Sequence, residues 1–486
     1  MMIVSVAALA ACVLIAQYRY LGFEEKFGAV VRLGRMASAP FPQLSGLQVR
    51  QNAAATFLEA ALPLAVALAL AQTGAARLLA GGGAAAIAWA VLLTGSRGAW
   101  VALIAAAGLS GLVLLRILSS EQLGHVRRPK VLLLVLALAA VGILLISAAN
   151  WRRWLASAAQ RASDRGALYH NSLFLALDFP LTGIGPGATF GMVYSRFQLL
   201  IPDFYLSYAH NLLLDIWLAQ GLLGLLSFGG LLLASGRLVW RGLLYGQRGP
   251  SHSVGWGATV GCTTVLLHGL TDAPQYDDAW YALLMIFAVF GVMVAAACRA
   301  DDRPLRWMQP GKSTWLIGVV VAVAAVAFGG RELLALASAN VANVLQARSA
   351  LALHLTNSER DQLHARAITW ADRGLRLSHS SAAAQKSRGM LAFDLSEHNF
   401  DLAIELLEPA LRASPADLSL RKALGYAYIW QGRITEGVAM LESVGRIGEI
   451  VGELQAWPYA WRERGRPDLA AQAERAAAAI LKQSTP

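Results

Sequence analysis

The sequence predicts an all-α protein in two parts, a polytopic bundle of about nine membrane-spanning helices over residues 1–330 and a soluble helical-repeat domain over 331–486. Three observations predict it. The composition is too apolar for an ordinary soluble enzyme, with 56% hydrophobic residues, 15% charged residues and a mean hydropathy of +0.50 over 486 residues. Apolar runs of roughly 20 residues, the length that crosses about 30 Å of hydrocarbon, recur along the first two thirds of the chain. After about residue 331 these runs give way to amphipathic patterning with interspersed charge.

The apolar runs fall at 2–17, 52–72, 75–94, 98–116, 131–149, 211–235, 254–271, 279–298 and 314–330. Leu9-Ala10-Ala11-Cys12 has the shape of a lipoprotein cleavage box. No positively charged segment precedes it and the apolar run before it is short, so it reads as part of a first membrane helix. Orientation follows from three basic clusters: Arg116, Arg127, Arg128 and Lys130; Arg237, Arg241 and Arg248; and Arg299, Arg303, Arg306 and Lys312. Alternate connections put all three on one side, which the positive-inside rule makes the cytoplasm. The opposite, extracytoplasmic side then receives loops 18–51 and 150–210, the turn at 95–98, the turn after Asp272 and everything beyond about 331. Loop 18–51 runs against the rule with Arg19, Lys26, Arg32, Arg35 and Arg50, although long translocated loops obey it less strictly.

The net charge of +11 is thus distributed over short loops rather than gathered on a soluble face, which argues against a nucleic-acid partner. Cys12, Cys262 and Cys298 lie within or beside apolar runs and lack metal-ligand spacing, so they read as small core residues with no disulfide and no zinc.

In the C-terminal part the spacing is informative. Ala403, Gly437 and Ala471 recur every 34 residues, as do Leu407 with Leu441 and Leu391 with Gly425. Ala410 and Pro415 stand where a tetratricopeptide repeat places a small residue and a terminating proline. Two or three degenerate helix-hairpin repeats are expected. An unrelated helical bundle with a coincidental period is the alternative.

Four polar interruptions of the apolar chain are candidates for chemistry. In Thr94-Gly95-Ser96-Arg97-Gly98-Ala99-Trp100 an arginine stands between two glycines where one span hands over to the next. A guanidinium there, with backbone free to approach on both sides, suits a phosphate or pyrophosphate; a snorkelling helix anchor is the competing reading. Segment 150–210 carries Arg152, Arg153, Arg161, Arg165 and Arg196 on the side where positive charge is normally sparse. Lipid headgroups or an anionic substrate would explain it. The stretch Pro180-Leu181-Thr182-Gly183-Ile184-Gly185-Pro186-Gly187 is too loose for a dinucleotide fingerprint and reads as a tight loop shaping a cavity wall.

His210, in Ala209-His210-Asn211-Leu212-Leu213-Leu214-Asp215, enters the next span at the aqueous boundary, a suitable position for a general base. A lone interfacial histidine is also commonly structural. Asp272, in His268-Gly269-Leu270-Thr271-Asp272-Ala273-Pro274, ends another span on the same face and could merely cap it. The orientation argument places Arg97, Arg165, His210 and Asp272 in one plane.

Together these motifs resemble the O-antigen ligase and polymerase superfamily of membrane glycosyltransferases. The matching pieces are the Ser-Arg-Gly-Ala-Trp turn at 96–100, Arg165 leading into 180–190, the His210-Asn211 helix with its Gly221-Leu222-Leu223-Gly224 continuation, and His268 to Asp272. Gln51-Asn52 through Pro63 is similar to the family's asparagine-led helix. The likeness covers about residues 30–295. It implies a GT-C-like membrane bundle that transfers a glycan from undecaprenyl diphosphate to an acceptor hydroxyl on the periplasmic face, with no nucleotide sugar, metal or other cofactor. It also implies pyrophosphate contacts at Arg97, Arg161 and Arg165, a base at His210, an acceptor-positioning Asn211 and a supporting Asp272. Two departures are visible. Gln220 stands where the family usually has glutamate before the Gly-x-x-Gly segment, and fewer N-terminal spans precede the motifs than is typical.

The acceptor class is open between a lipid A core, a growing glycan and, given the repeat domain, a protein. A non-catalytic scaffold of an envelope-polysaccharide assembly, holding protein partners through the repeats, is the reading from a different class. A transporter would show inverted halves with broken helices, and the sequence has no such internal symmetry.

Overall fold

The computed structural model describes residues 1–23, 28–117, 151–187, 189–201, 206–244, 250–276, 280–300, 312–394 and 397–484. Among them all regular structure is helical, as expected. The helices gather into two compact units, each built from separate stretches of chain. The first comprises Met1–Gly166, Tyr208–Ile216 and Leu225–Arg306, and the second Ala167–Ser207, Trp217–Gly224 and Trp307–Pro486.

In the first unit α1 (Met2–Gln17), α2 (Gly28–Ser38), α3 (Gln51–Ala71), α4 (Gly74–Thr94) and α5 (Arg97–Ile117) are followed by the start of α6 (Trp151–Asp178). The larger part of α8 (Leu212–Val239), α9 (Pro250–Gly269) and α10 (Trp280–Ala300) complete it. Among the described residues five helical stretches are long and apolar enough to cross a membrane: Met2–Tyr20, Gln51–Ala71, Gly74–Thr94, Leu212–Gly242 and Trp280–Arg299. The apolar part of α5, Arg97–Val113, is shorter, and the run at 131–149 lies outside the described residues. Leu78, Leu79, Leu223 and Leu233 are each at least 73% exposed, the arrangement of helices whose outer faces meet lipid. The chain is a multi-pass membrane protein.

The core of this unit is rich in alanine and glycine. A Cβ on Gly261 would lie 2.3 Å from the Ala60 carbonyl oxygen, and one on Gly257 2.8 Å from that of Pro63. Helices α3 and α9 therefore touch backbone to backbone, as small residues allow where lipid supplies no hydrophobic drive between helices. The cysteines depart from expectation. Cys12 and Cys298 are exposed on the outer faces of apolar helices and Cys262 is half-buried, because in such helices an apolar residue is equally at home facing lipid. All three are free thiols.

The second unit joins the end of α6 and the short α7 (Thr189–Tyr194), with its π-turn Ser195–Leu199, to the C-terminal helices. These are α11 (Lys312–Leu351), α12 (Asn357–Leu377), α13 (Ala382–Phe393), α14 (Phe400–Ala413), α15 (Leu418–Trp430), α16 (Ile434–Glu442), α17 (Ile447–Glu463) and α18 (Pro467–Ser484). Helix α11 runs unbroken through residue 330, so the change of composition there falls inside a helix. Sequence caps start the later helices: Thr356 and Glu359 form a capping box on α12, Asn399 caps α14 and Asp417 caps α15. The 34-residue spacing marks close crossings. A Cβ on Gly437 would lie 2.7 Å from the Gly425 carbonyl oxygen, so α15 and α16 meet where only glycine fits.

Segment 150–210, expected as a connecting loop, is mostly helix, since α6 reaches Asp178. The glycine-rich stretch after it closes a break in α8. Gly221 has φ +70, and there the helical ladder fails. The Leu218 carbonyl instead accepts from the Ile184 amide at 2.6 Å, and the Leu222 amide donates to the Pro180 carbonyl at 2.9 Å. A Cβ on Gly183 would lie 2.4 Å from the Leu218 carbonyl oxygen, and one on Gly221 2.0 Å from that of Leu181. The glycines thus permit one backbone to satisfy another, which a helix broken within an apolar run requires.

Candidate functional site

The site is built at one end of the first unit, around the turn after α9. Asp272 is 3% exposed and gathers four side chains. Its Oδ1 accepts from the Tyr208 hydroxyl at 2.8 Å and lies 2.9 Å from His210 Nδ1. Its Oδ2 accepts from Asn52 Nδ2, at the start of α3, and lies 3.9 Å from Arg165 Nη2 on α6. Arg165 also donates to the Thr271 carbonyl. Burial pushes the Asp272 carboxyl up, but the hydrogen bonds from His210 and Tyr208 outweigh it and hold the group below the ordinary carboxylate range. Asp272 is therefore ionised.

The backbone presents His210 under constraint. Its φ is +56, a left-handed conformation uncommon outside glycine. Asp215, one turn into α8, holds that conformation by accepting from the amides on either side, Ala209 at 2.7 Å and Asn211 at 3.1 Å. Asn211 caps α8 through Oδ1, which accepts from the Leu213 and Leu214 amides, while its Nδ2 donates to the Leu270 carbonyl at 3.0 Å. The carboxylate that shapes this helix start is thus Asp215. The Tyr208 ring packs on the His210 ring at 4.0 Å between centroids, and the imidazole keeps 27% of its surface exposed.

Of the residues singled out from sequence, Arg165, His210, Asn211 and Asp272 meet here. Arg97 is the first residue of α5 and half-buried; a Cβ on the next residue, Gly98, would lie 3.3 Å from Thr271 Oγ1, so the start of α5 adjoins the same turn. Arg161 lies on α6, but its side chain is outside the described residues. Sequence reasoning assigned no role to Tyr208, Asn52 or Asp215. Asn52 left a signal as the asparagine of the asparagine-led helix, and Asp215 as an acid four residues after the capping Asn211; Tyr208 left none. Among the described residues no group of three or more His, Cys, Asp or Glu is placed to hold a metal ion.

Comparison with known proteins bears on this arrangement. Residues 82–229 match a family model described as O-Antigen ligase, and residues 394–448 one described as Tetratricopeptide repeat. Arg97, Arg165, His210 and Asn211 fall inside the first match, and Asn52 and Asp272 outside it. No curated protein and no solved structure matches the chain. The first match supports a membrane activity of the glycan ligase or polymerase type. Residues 82–229 are thus similar to the O-antigen ligase family, and residues 394–448 to a tetratricopeptide repeat.

Proposed function

We propose that the protein transfers a glycan from undecaprenyl diphosphate to an acceptor hydroxyl on the periplasmic face of a bacterial inner membrane, with the C-terminal repeats on that same side. The observation that carries this reading is the His210–Asp272 contact at 2.9 Å beside Arg165. An ionised Asp272 accepting from Nδ1–H selects the tautomer whose Nε2 bears the lone pair. Nε2 removes the acceptor hydroxyl proton as that oxygen bonds to the anomeric carbon of the donor. The bond from that carbon to the phosphate oxygen breaks, and the electron pair leaves on undecaprenyl diphosphate. Arg165 and Arg97, with Arg161 from the same helix as Arg165, stabilise the negative charge growing on the leaving group. Asn211 fixes the helix start that presents the base.

The test is reconstitution in proteoliposomes with an undecaprenyl-diphosphate-linked glycan and an acceptor. Product and free undecaprenyl diphosphate should appear together, and a nucleotide sugar should give neither. Arg165→Ala should raise the donor KM by about 10- to 100-fold, the loss of one charge-assisted contact worth roughly 1.5–3 kcal/mol. An unchanged donor KM would remove Arg165 from the pyrophosphate site. The tetratricopeptide match supports a protein acceptor or partner as a second reading. Offering saccharide and protein acceptors in parallel decides between them.

A further inference from the structure

Directly below the site, a second histidine–carboxylate pair is buried in the membrane bundle. Glu59 on α3 is 0% exposed and His268 on α9 is 2% exposed, with Oε1 and Nδ1 2.7 Å apart. Glu59 Oε2 has no hydrogen-bond partner among the described residues, nor has Thr56 Oγ1 one turn earlier on the same helix. Ionisable side chains inside a membrane bundle are costly and are kept where they serve a function.

Three elements of the site depend on where His268 sits. Its carbonyl accepts from the Thr271 amide at 2.8 Å, the Asp272 amide at 2.9 Å and Thr271 Oγ1 at 3.0 Å, so the turn that presents Asp272 is folded onto this residue. The Thr271 carbonyl in turn takes Arg165. The ring of His268 lies against the first turn of α5: a Cβ on Gly98 would stand 2.7 Å from both Cδ2 and Nε2, immediately after Arg97. On α3, Glu59 lies two turns from Asn52 on the same face, and Asn52 donates to Asp272. Helices α3 and α9 are therefore pinned twice, by Asn52–Asp272 at the site and by Glu59–His268 beneath it.

We propose that Glu59 and His268 are positioning residues that set the register of α3 against α9, and with it the orientation of Asp272 toward His210. The inference rests on the reading of His210 as the base. Outer partners that orient metal-ligating side chains change activity by about 10- to 100-fold without touching substrate, and an effect of that order is expected for a pair that orients Asp272.

The experiment compares Glu59→Gln, which keeps the size of the side chain, and His268→Asn, which keeps a polar group at the Nδ1 position, in proteoliposomes supplied with lipid-linked glycan. Both should insert and melt close to the unaltered protein, lower kcat by about 10- to 100-fold and change the donor KM by less than about 3-fold. Glu59→Asp, which restores the carboxylate, should regain part of the loss. In an Asp272→Asn background, Glu59→Gln should lower the residual kcat no further, because what it positions is already gone. A full additional drop in that background would make the pair a general structural element and overturn the proposal. So would wild-type kcat in both variants, or failure of both to insert. Normal transfer by His210→Ala would instead sink the underlying functional reading, whatever Glu59 does.

Discussion

His210→Ala is expected to insert into the membrane normally and to lower glycan transfer by roughly 10²- to 10⁴-fold, the contribution of a positioned general base. The argument rests on what the imidazole is attached to. Its Nδ1 is 2.9 Å from a carboxylate that is almost wholly buried, and its backbone is held at φ +56 by two hydrogen bonds to Asp215. A left-handed histidine has a conformational cost of about 1–3 kcal/mol, and such strain persists where the surroundings over-determine it. A histidine that merely anchored a helix end would need neither the strain nor the buried acid. Removing the side chain while leaving Asp215 in place preserves the cap of α8, so the folded protein should survive. Asp272→Asn should reproduce most of the loss, since an amide no longer selects the Nδ1–H tautomer and no longer attracts Arg165. The measurement is initial rate in proteoliposomes, normalised to inserted protein. Transfer by His210→Ala within about 3-fold of the unaltered chain, far below the range expected for a base, would remove His210 from the mechanism.

Part of this site was legible because a polar residue in an apolar run announces itself. Arg97, His210 and Asp272 each interrupt or end a run, and the charge asymmetry of the loops grouped them on one side. The partners of Asp272 were not legible in the same way. Asn52 lies 220 residues away in sequence, and although it opens the asparagine-led helix, nothing in local patterning says that its side chain reaches Asp272. The helix break at Gly221 was hidden for a different reason. Apolar residues run straight through it, and only the backbone of 180–184 lying against it shows why the ladder is interrupted. The repeat period, by contrast, stayed legible in the small residues Ala403, Gly437 and Ala471, and at Gly437 the close approach to the Gly425 carbonyl tolerates almost no side chain. The division into two units was legible only in its C-terminal part. Hydropathy divides the chain once near 330, whereas packing draws residues 167–207 and 217–224 in with the C-terminal helices.

One residue that ties 167–207 to the C-terminal helices is Lys386, and Lys386→Met is expected to destabilise the second unit by about 3–5 kcal/mol, the usual cost of breaking a buried ion pair from one side. Lys386 Nζ lies 2.7 Å from Asp178 Oδ1 at the end of α6 and donates to Asp417 Oδ2, the cap of α15, at 2.7 Å. Burial disfavours the ammonium, but the two carboxylates outweigh it and raise Lys386 to about 12. A raised lysine contributes fully at neutral pH and loses its contribution only as pH climbs through that value. Burial pushes Asp178 up to about 6 in spite of the lysine, so it is the weaker acid of the two and the one that would take up a proton once the cation is gone. That predicts asymmetry. Adding Asp178→Asn to Lys386→Met should recover a good part of the loss, because it removes the carboxylate left without a counter-charge. Asp417→Asn should recover less, because Asp417 also accepts from the Ser419 and Leu420 amides and its loss uncaps a helix. Urea or thermal unfolding of the detergent-solubilised protein, read with hydrogen exchange over 167–199 and 382–422, gives both values. A loss below about 1 kcal/mol, the value of an exposed ion pair, would mean that water reaches the network and that the clamp on α6 lies in its apolar contacts.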